Sequence, residues 1–596
     1  DLFRSSIRSN PPMNQAVLTP TCGDMNTPKI ISFLAFICIA LLSTEKGLAE
    51  RCTECHKESF QFSRFHAPYL VSCEQCHGGN PQAVHKESAH FGMEAYPGRM
   101  ASVERSCGQS QCHADLVPQV KNSIMNTLDG MLTVTREVYN APNPHHQNRT
   151  VAERLAFEGA DLYLRKLCVS CHLGSERQNH QQSYRDRGGG CAACHLQTYQ
   201  KKEIPPLDDD PDITGLGTTH PTLTIQVPND RCFGCHSRSG RISLNYLGLA
   251  ETDELDKNNT DRFGYLYDNR LVERKAADVH HKSDMACIDC HTTTGLMGTG
   301  DRFPFLRDQN DISCEDCHSQ QLRKRPVSEL KPRERRYFAL YKDKIPISVT
   351  DQVIVTRKFQ TPLFHVIDRA EERVMISKLD GRELQIPLTE EAYYHTVSGH
   401  ERLTCDACHT GWAPQCYGCH VSYDPEGIQW DHIERERTPG RWVETRWQVK
   451  SERPALGVTG NNRITTFIPG MNIIAEATPV SQKFIKRIFS ATSAHTTQTE
   501  GRSCESCHRS DESMGIIDKW VAHPEQKNWI TPLGWIFEDQ KTPGKGTKPG
   551  DRSFNQNEIE EIRRVGVCLE CHSKEDPIYQ RFSEALNNLA PQCQTN

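Results

Sequence analysis

One short motif recurs along the chain and constrains its fold more than any other feature. The motif is Cys-x-x-Cys-His, two cysteines separated by two residues and followed at once by a histidine. It occurs eleven times, and a twelfth copy, which begins at Cys107, has four residues between its cysteines. These motifs use 24 of the 27 cysteines in the 596-residue chain. Any fold for this chain must therefore bring the same three side chains together again and again.

The motifs are numbered here from 1 to 12 in chain order. They are Cys52/Cys55/His56, Cys73/Cys76/His77, Cys107/Cys112/His113, Cys168/Cys171/His172, Cys191/Cys194/His195, Cys232/Cys235/His236, Cys287/Cys290/His291, Cys314/Cys317/His318, Cys405/Cys408/His409, Cys416/Cys419/His420, Cys504/Cys507/His508 and Cys568/Cys571/His572.

This spacing is the attachment signature of c-type haem. The two thiols form thioether bonds to the porphyrin, and the histidine becomes the proximal ligand of the iron. The wider loop of motif 3 can still reach both attachment points. Cysteine pairs also bind zinc or form disulfides, but neither alternative requires a histidine directly after the second cysteine. All twelve motifs have that histidine, so we expect twelve covalently attached haem c groups.

Motifs 9 and 10 form a dense pair within residues 405–420. Their first cysteines are only eleven residues apart, so the two haems must lie close together in space. Such an arrangement is suited to passing electrons. In its motifs the chain resembles the prokaryotic, exported multihaem c-type cytochromes of the electron-transfer type, here with twelve haems. The resemblance extends from residue 52 to residue 572.

Composition favours a core made largely of haem. Only 36% of the residues are hydrophobic, too few to fill the several side-chain cores that a chain of this length would need. We therefore expect a mostly irregular and α-helical multihaem cytochrome, with short helices wrapped around a haem array and a small inserted antiparallel β-subdomain. The net charge of −6 and the absence of a basic tract argue against a nucleic-acid partner.

The motifs and the stretches between them predict six regions. These are residues 1–49, upstream residues and a signal peptide; 50–200, with motifs 1–5; 201–318, with motifs 6–8; 319–404, a haem-free β-rich insertion; 405–503, with motifs 9–10 and a Trp- and β-rich segment; and 504–596, with motifs 11–12.

Residues 25–49 have the parts of a secretory signal peptide. From a start at Met25, Lys29 supplies a basic stretch and residues 30–42 form an apolar run, with small Gly47 and Ala49 before the cleavage point. The alternative, an uncleaved anchor, is disfavoured because the run is short for a transmembrane helix. We expect an exported protein, periplasmic or at the cell surface, with no transmembrane segment in the mature chain.

Local patterns predict several helices and strands. We expect helices over 122–138, 151–167, 558–571 and 577–589, with Thr150 as the cap of the second. In the insertion we expect strands over 345–349, 353–359, 363–367, 374–379 and 383–388, with a hairpin turn at Asp380-Gly381. Further strands are expected around 445–449 and 463–468. The insertion could serve as a docking surface for a partner or as a cover for the haems.

The supply of histidine predicts the second axial ligand of each haem. Fifteen of the 27 histidines lie outside the motifs, enough to place two histidines on every iron. The candidates are His66, His85, His90, His145, His146, His180, His220, His280, His281, His395, His400 and His495. His365, which falls in a predicted strand, is rejected, and His432 and His523 are doubtful.

Two functions fit these features. The first is electron transfer along a chain of mostly bis-histidine haems in respiratory or extracellular electron transfer. The resemblance implies partners among other redox proteins, an outer-membrane porin, or further copies in a filament. The alternative is a multihaem oxidoreductase of the nitrite, hydroxylamine or tetrathionate type, with one open iron. We predict no catalytic side chain.

Overall fold

The protein is described by a computed structural model. The described residues run from 49 to 581, interrupted at 57–58, 61, 64, 143–148, 158, 176–187, 198–218, 221, 239–240, 254, 257–258, 267, 342–347, 349–350, 370–371, 390–392, 415–417, 448–450, 477–483, 517–519, 523–529 and 533–543. The predicted signal peptide, Cys416 and the candidates His145, His146 and His180 lie outside them, as does His523.

The described helices are short. The α-helices are Ala49–Cys55, Cys73–His77, Lys86–Ala89, Val117–Asn122, Ile124–Thr127, Asp129–Val138, Val151–Arg154, Gly159–Leu167, Cys191–His195, Asn229–His236, Ile242–Tyr246, Val279–Lys282, Cys287–Cys290, Thr293–Met297, Leu306–Gln309, Glu315–His318, Pro332–Tyr341, Cys405–His409, Cys504–His508 and Gln556–Cys568. Single 3-10 turns are Val103–Arg105, Val169–Cys171, Thr260–Arg262, Val327–Glu329, Tyr393–His395 and Pro577–Arg581.

Two predicted helices are broken into shorter pieces. Thr150 caps a helix as expected, accepting a hydrogen bond from the Glu153 amide, but this helix ends at Arg154 and a second one begins at Gly159. The predicted helix over 122–138 is interrupted where Leu128 adopts a left-handed conformation, with φ 52°. The predicted helix at 558–571 is present as Gln556–Cys568, capped by Asn555. A single residue off the helical path ends a helix, and hydrophobic periodicity does not reveal it.

Most of the sheets are small. Two-stranded pairs are Ser59–Phe60 with Thr219–His220, Leu196–Gln197 with Thr222–Leu223, Lys324–Pro326 with Gln352–Ile354, Ala413–Pro414 with Ser451–Glu452, and Trp520–Ala522 with Ile530–Pro532. A three-stranded sheet joins Leu249–Glu251, Phe263–Tyr265 and Leu271–Arg274.

The insertion at 319–404 contains a small antiparallel sheet. Its strands are Val366–Asp368, Arg373–Ile376 and Glu383–Gln385. Gly381 has φ 81° at the predicted hairpin turn, a conformation that glycine adopts without strain. The strands are shorter than predicted, a helix at Pro332–Tyr341 was not foreseen, and the predicted strand at 345–349 lies almost wholly outside the described residues.

The largest sheet follows the dense motif pair instead. It has five strands, Gly418–Asp431, Glu436–Trp447, Ala455–Val458, Ile464–Glu476 and Phe484–Ala491. Gly418–Asp431 pairs antiparallel with Glu436–Trp447 and parallel with Ile464–Glu476. Two of the expected strands, at 445–449 and 463–468, fall largely within it.

Buried apolar side chains are divided among several small clusters. In the described part of the chain there are eight, the largest with six buried members. Partly buried motif cysteines pack against several of them, including Cys107 and Cys191 against one, Cys507 against another and Cys317 against a third. This division is the one expected if another apolar body completes the core.

The helix Gly159–Leu167 joins the large sheet to the N-terminal region. Tyr163 packs against Tyr139 and Trp442, with Tyr163 and Trp442 ring centres 5.3 Å apart. On the same helix Arg165, almost fully buried, donates to the buried Asp431 carboxylate at 2.8 Å. Searching the described helices for one long and apolar enough to cross a membrane finds none.

We expect Asp431→Ala to lower the free energy of unfolding by about 3 kcal/mol, because it leaves a buried guanidinium without its main partner. The control is Glu383→Ala, which removes an exposed partner of Arg369 and should cost less than about 1 kcal/mol. Guanidinium unfolding followed by circular dichroism measures both. Equal effects would contradict a docking role for the buried pair.

Candidate haem sites

Most described motifs form one compact turn. In motifs 2, 5, 9 and 11 a helix begins at the first cysteine and ends at the histidine. In motifs 1, 7, 8 and 12 the histidine amide donates to the carbonyl of the first cysteine, at 2.9 to 3.0 Å. One helical turn places residues i, i+3 and i+4 on the same side. Both thiols and the imidazole can therefore face one porphyrin.

The wide motif 3 reaches a similar end. The His113 amide donates to the Cys107 carbonyl at 3.0 Å, and the Cys112 amide donates to the Gln109 carbonyl at 2.9 Å. The two extra residues are accommodated in a bulging loop, while the histidine keeps its place relative to the first cysteine. This geometry supports counting the motif with the others.

The motif imidazoles are oriented through one ring nitrogen. In five motifs Nδ1 donates to a backbone carbonyl oxygen, with distances of 2.7 to 3.0 Å. A carbonyl oxygen only accepts, so the proton must be on Nδ1, which leaves Nε2 free to bind a metal. The pairs are His77 with Glu94, His195 with Thr224, His318 with Pro387, His409 with Gln498 and His508 with Ile562.

Seven motif histidines face a second histidine. A metal–imidazole bond of about 2 Å, with roughly 1 Å more to the ring centre, puts two rings on opposite sides of one iron about 6 Å apart. The observed centre-to-centre distances are 5.9 to 6.3 Å. The pairs are His56–His90, His113–His66, His77–His220, His318–His280, His291–His495, His409–His395 and His508–His400.

Two candidates for the second ligand have other surroundings. His85 precedes the helix Lys86–Ala89, and the His281 ring packs against Tyr246, with centres 5.2 Å apart. Within the described residues neither ring contacts a motif histidine. The rejected His365 is buried, and its Nε2 donates to the Asp289 carbonyl at 2.7 Å. His432 donates through its backbone amide to Arg165.

Burial keeps several of these imidazoles neutral. It lowers the pKa of His291 to about 3 and that of His172 to about 4. Neutral imidazole is the form that coordinates a metal. The sites are therefore in the binding form at physiological pH.

Motifs 4 and 10 depart from this geometry. In motif 4 the His172 amide donates to Val169 in a tighter turn, and Gly174 lies so close to Nε2 that an added Cβ would come within 2.6 Å. That nitrogen therefore faces its own loop. In motif 10 the backbone from Gly418 is an extended strand, with Cys419 opposite Arg446 and His420 opposite Thr445. The other described motifs have no such strand, so these two fit a haem less well.

The motif cysteines also show which motifs are neighbours in space. Thiol–thiol hydrogen bonds join Cys52 to Cys73, Cys107 to Cys191, Cys232 to Cys287 and Cys314 to Cys405. Thiols close enough to influence each other's pKa link Cys76 with Cys107, Cys194 with Cys232, Cys290 with Cys317 and Cys408 with Cys507. Arg509 and Glu570 form an ion pair of 3.0 Å that joins motif 11 to motif 12.

These contacts define a spatial order of motifs 1, 2, 3, 5, 6, 7, 8, 9, 11 and 12, called here the motif file. Motif 4 lies beside the file rather than in it, because the Cys235 thiol of motif 6 reaches the Cys171 carbonyl at 3.9 Å. Sequence order and spatial order differ only at motifs 4 and 10, which are also the two with unusual geometry.

The insertion 319–404 is in direct contact with motifs 7 and 8. Its Pro387 carbonyl accepts from His318, and its Arg373 donates to the Cys317 and Ser319 carbonyls at 2.7 Å. Its buried Lys378 donates to the Ile288 carbonyl at 2.5 Å, inside motif 7. These contacts favour the cover over the docking surface as the role of the insertion.

Two further observations bear on the identity of the ligand. The described cysteines are free thiols, as thioether attachment requires. Across the described ranges no group of three or more His, Cys, Asp or Glu side chains could hold a metal ion, which argues against the zinc alternative. Comparison with family models, curated proteins and solved structures finds no match to this chain.

We expect His495→Gln to give about one high-spin haem equivalent in the electron paramagnetic resonance (EPR) spectrum, because it removes the imidazole opposite His291. His365→Gln is the matched control, since that imidazole is also buried but bonds a carbonyl. Its spectrum should stay low-spin. If both variants gave the same spectrum, the assignment of the pair His291–His495 would be wrong.

Proposed function

We propose that this chain is an exported multihaem c-type cytochrome that carries electrons along the motif file, through haems with two histidine ligands. The single observation that carries the proposal is the set of seven imidazole pairs at the separation that one iron between them requires. Haem c supplies one-electron chemistry when bound.

The protein's own side chains position and insulate the haems. Carbonyl acceptors fix the motif imidazoles with Nε2 free, and the paired histidines fill the second axial position. With both positions taken, no site at those irons remains for a substrate. This arrangement favours electron transfer over substrate chemistry.

Neighbouring motifs in the file are in contact through their cysteines, so the haem edges they hold must also be close. Short edge-to-edge distances are what electron hopping needs. The two ends of the file are motif 1, where Cys55 and His56 are exposed, and motif 12, where Cys571 is exposed. These exposed ends are the places where electrons enter and leave.

Apolar surface near the first end supports the same view. The segment between motifs 1 and 3 exposes several large apolar side chains next to candidate ligands, among them Tyr69 and Phe91, both more than 80% exposed. Apolar surface of this extent suits a porphyrin face or a docked partner. Other redox proteins, an outer-membrane porin or further copies of the chain are the partners we propose, in the periplasm or at the cell surface.

The decisive measurement is haem content by mass together with EPR spin quantitation of the oxidised protein. We expect covalent haem at the motifs and low-spin signals throughout the file. If one haem is high-spin and its signal shifts with nitrite or hydroxylamine, the oxidoreductase alternative replaces this proposal. If the purified protein carries zinc and no haem, both fail.

A further inference from the structure

The hydrogen-bond partners of the axial imidazoles are of two kinds. Most are neutral, either backbone carbonyls or, for His66, the Ser63 hydroxyl at 3.0 Å. Two are carboxylates. Asp278 accepts from His280 Nδ1 at 2.8 Å, and Asp576 accepts from His572 Nδ1 at 2.9 Å.

Asp278 is held rigidly in this position. It is 2% exposed. One carboxylate oxygen accepts from both Nδ1 and the backbone amide of His280, and the other accepts from the Thr497 amide at 2.7 Å. With three donors and almost no contact with water, the carboxylate has a fixed direction toward the imidazole.

The segment 493–498 holds the axial ligands of three successive motifs. Thr497 bonds Asp278 and so orients His280, the partner of motif 8. Its neighbour His495 faces the motif 7 imidazole, and Nδ1 of His495 donates to the neutral Ser493 carbonyl at 3.2 Å. The Gln498 carbonyl accepts from the motif 9 histidine, His409. Within this one segment only the ligand pair of motif 8 is coupled to a carboxylate.

An anionic acceptor makes an imidazole a stronger electron donor than a neutral acceptor does, because it draws the Nδ1 proton away from the ring. A stronger donor on the iron stabilises the oxidised state and lowers the reduction potential. A buried carboxylate has a larger effect than an exposed one, since water screens it less.

We propose that Asp278, acting through His280, sets the haem of Cys314 and Cys317 at a lower reduction potential than its two neighbours in the file. The inference rests on the proposed function. It makes motif 8 an energetic step in the middle of the file, between motifs 1–7 on one side and motifs 9–12 on the other. Electrons pass this haem one at a time and spend little time on it, so the two parts act as separate reservoirs.

The other charges near motif 8 do not oppose this assignment. Arg373 contacts the motif but forms an ion pair with Asp368 at 3.0 Å. The buried Lys378 donates to the Ile288 carbonyl and, at 3.4 Å, to the His291 carbonyl of motif 7. A positive charge there favours reduction of the motif 7 haem and widens the step.

The first test is an EPR-monitored redox titration of Asp278→Asn. Asparagine keeps the size and removes the charge. We expect the equilibrium for reducing one haem to become more favourable by about tenfold, a shift of about 59 mV for one electron. Ser63→Ala, which removes a neutral partner, should leave every potential in place. Asp576→Asn should give a smaller shift, because Asp576 is about one-third exposed.

A second measurement does not depend on the folding of Asp278→Asn. Methionine as the second ligand raises the potential of a haem. His280→Met should therefore abolish the component that titrates lower than its neighbours, whereas His495→Met should leave that component and move another one. Loss of the low component in His495→Met only would overturn the inference.

The inference and the proposed function fail in different ways. If Asp278→Asn retains full haem content and low-spin signals but every potential is unchanged, the inference is wrong and electron conduction stands. If the wild-type protein has no covalent haem at Cys314 and Cys317, the proposed function itself is wrong.

Discussion

The hydrogen bond from Nδ1 of a motif imidazole is the interaction on which the rest of the structure depends. It fixes both the plane of the ring and the tautomer, and so decides whether Nε2 is available. Its acceptors come from distant parts of the chain. Glu94 is 17 residues from His77, and Gln498 is 89 residues from His409. The chain between motifs therefore has a definite task, which is to return a carbonyl to an imidazole. Short helices and small sheets are sufficient for this.

The haem-free segments gain their role from the same constraint. The insertion supplies Pro387 to His318, and the segment after the large sheet supplies Gln498 to His409. The sheet itself is attached to the N-terminal region by the buried pair Arg165–Asp431. Each of these segments stabilises a motif that lies far away in sequence. Because binding of a haem by two distant histidines adds a further connection, we propose that haem attachment and folding are coupled in this protein.

Electrostatics then distinguishes sites that the motif makes chemically equal. Nearly identical turns present the ligands of motifs 7, 8 and 9, yet their surroundings differ in charge. Lys378 lies against motif 7, and Asp278 acts on the ligand of motif 8. A conduit of identical haems would have a flat energy profile. Charges placed one residue from an axial ligand give it a shape at no cost in geometry.

The sequence by itself determined the sites of attachment, because thioether chemistry requires two cysteines and a histidine within one turn. Local signals such as the Thr150 cap and the Gly381 turn were equally readable. Only the tertiary structure decided which histidines stand opposite each other. His85 and His90 are equally near motif 2 in sequence, yet the structure pairs only His90, and with motif 1. It also placed motif 4 beside the file and Asp278 behind His280. The physical reason is that axial pairing joins residues far apart in the chain, and composition shows only that enough histidines exist.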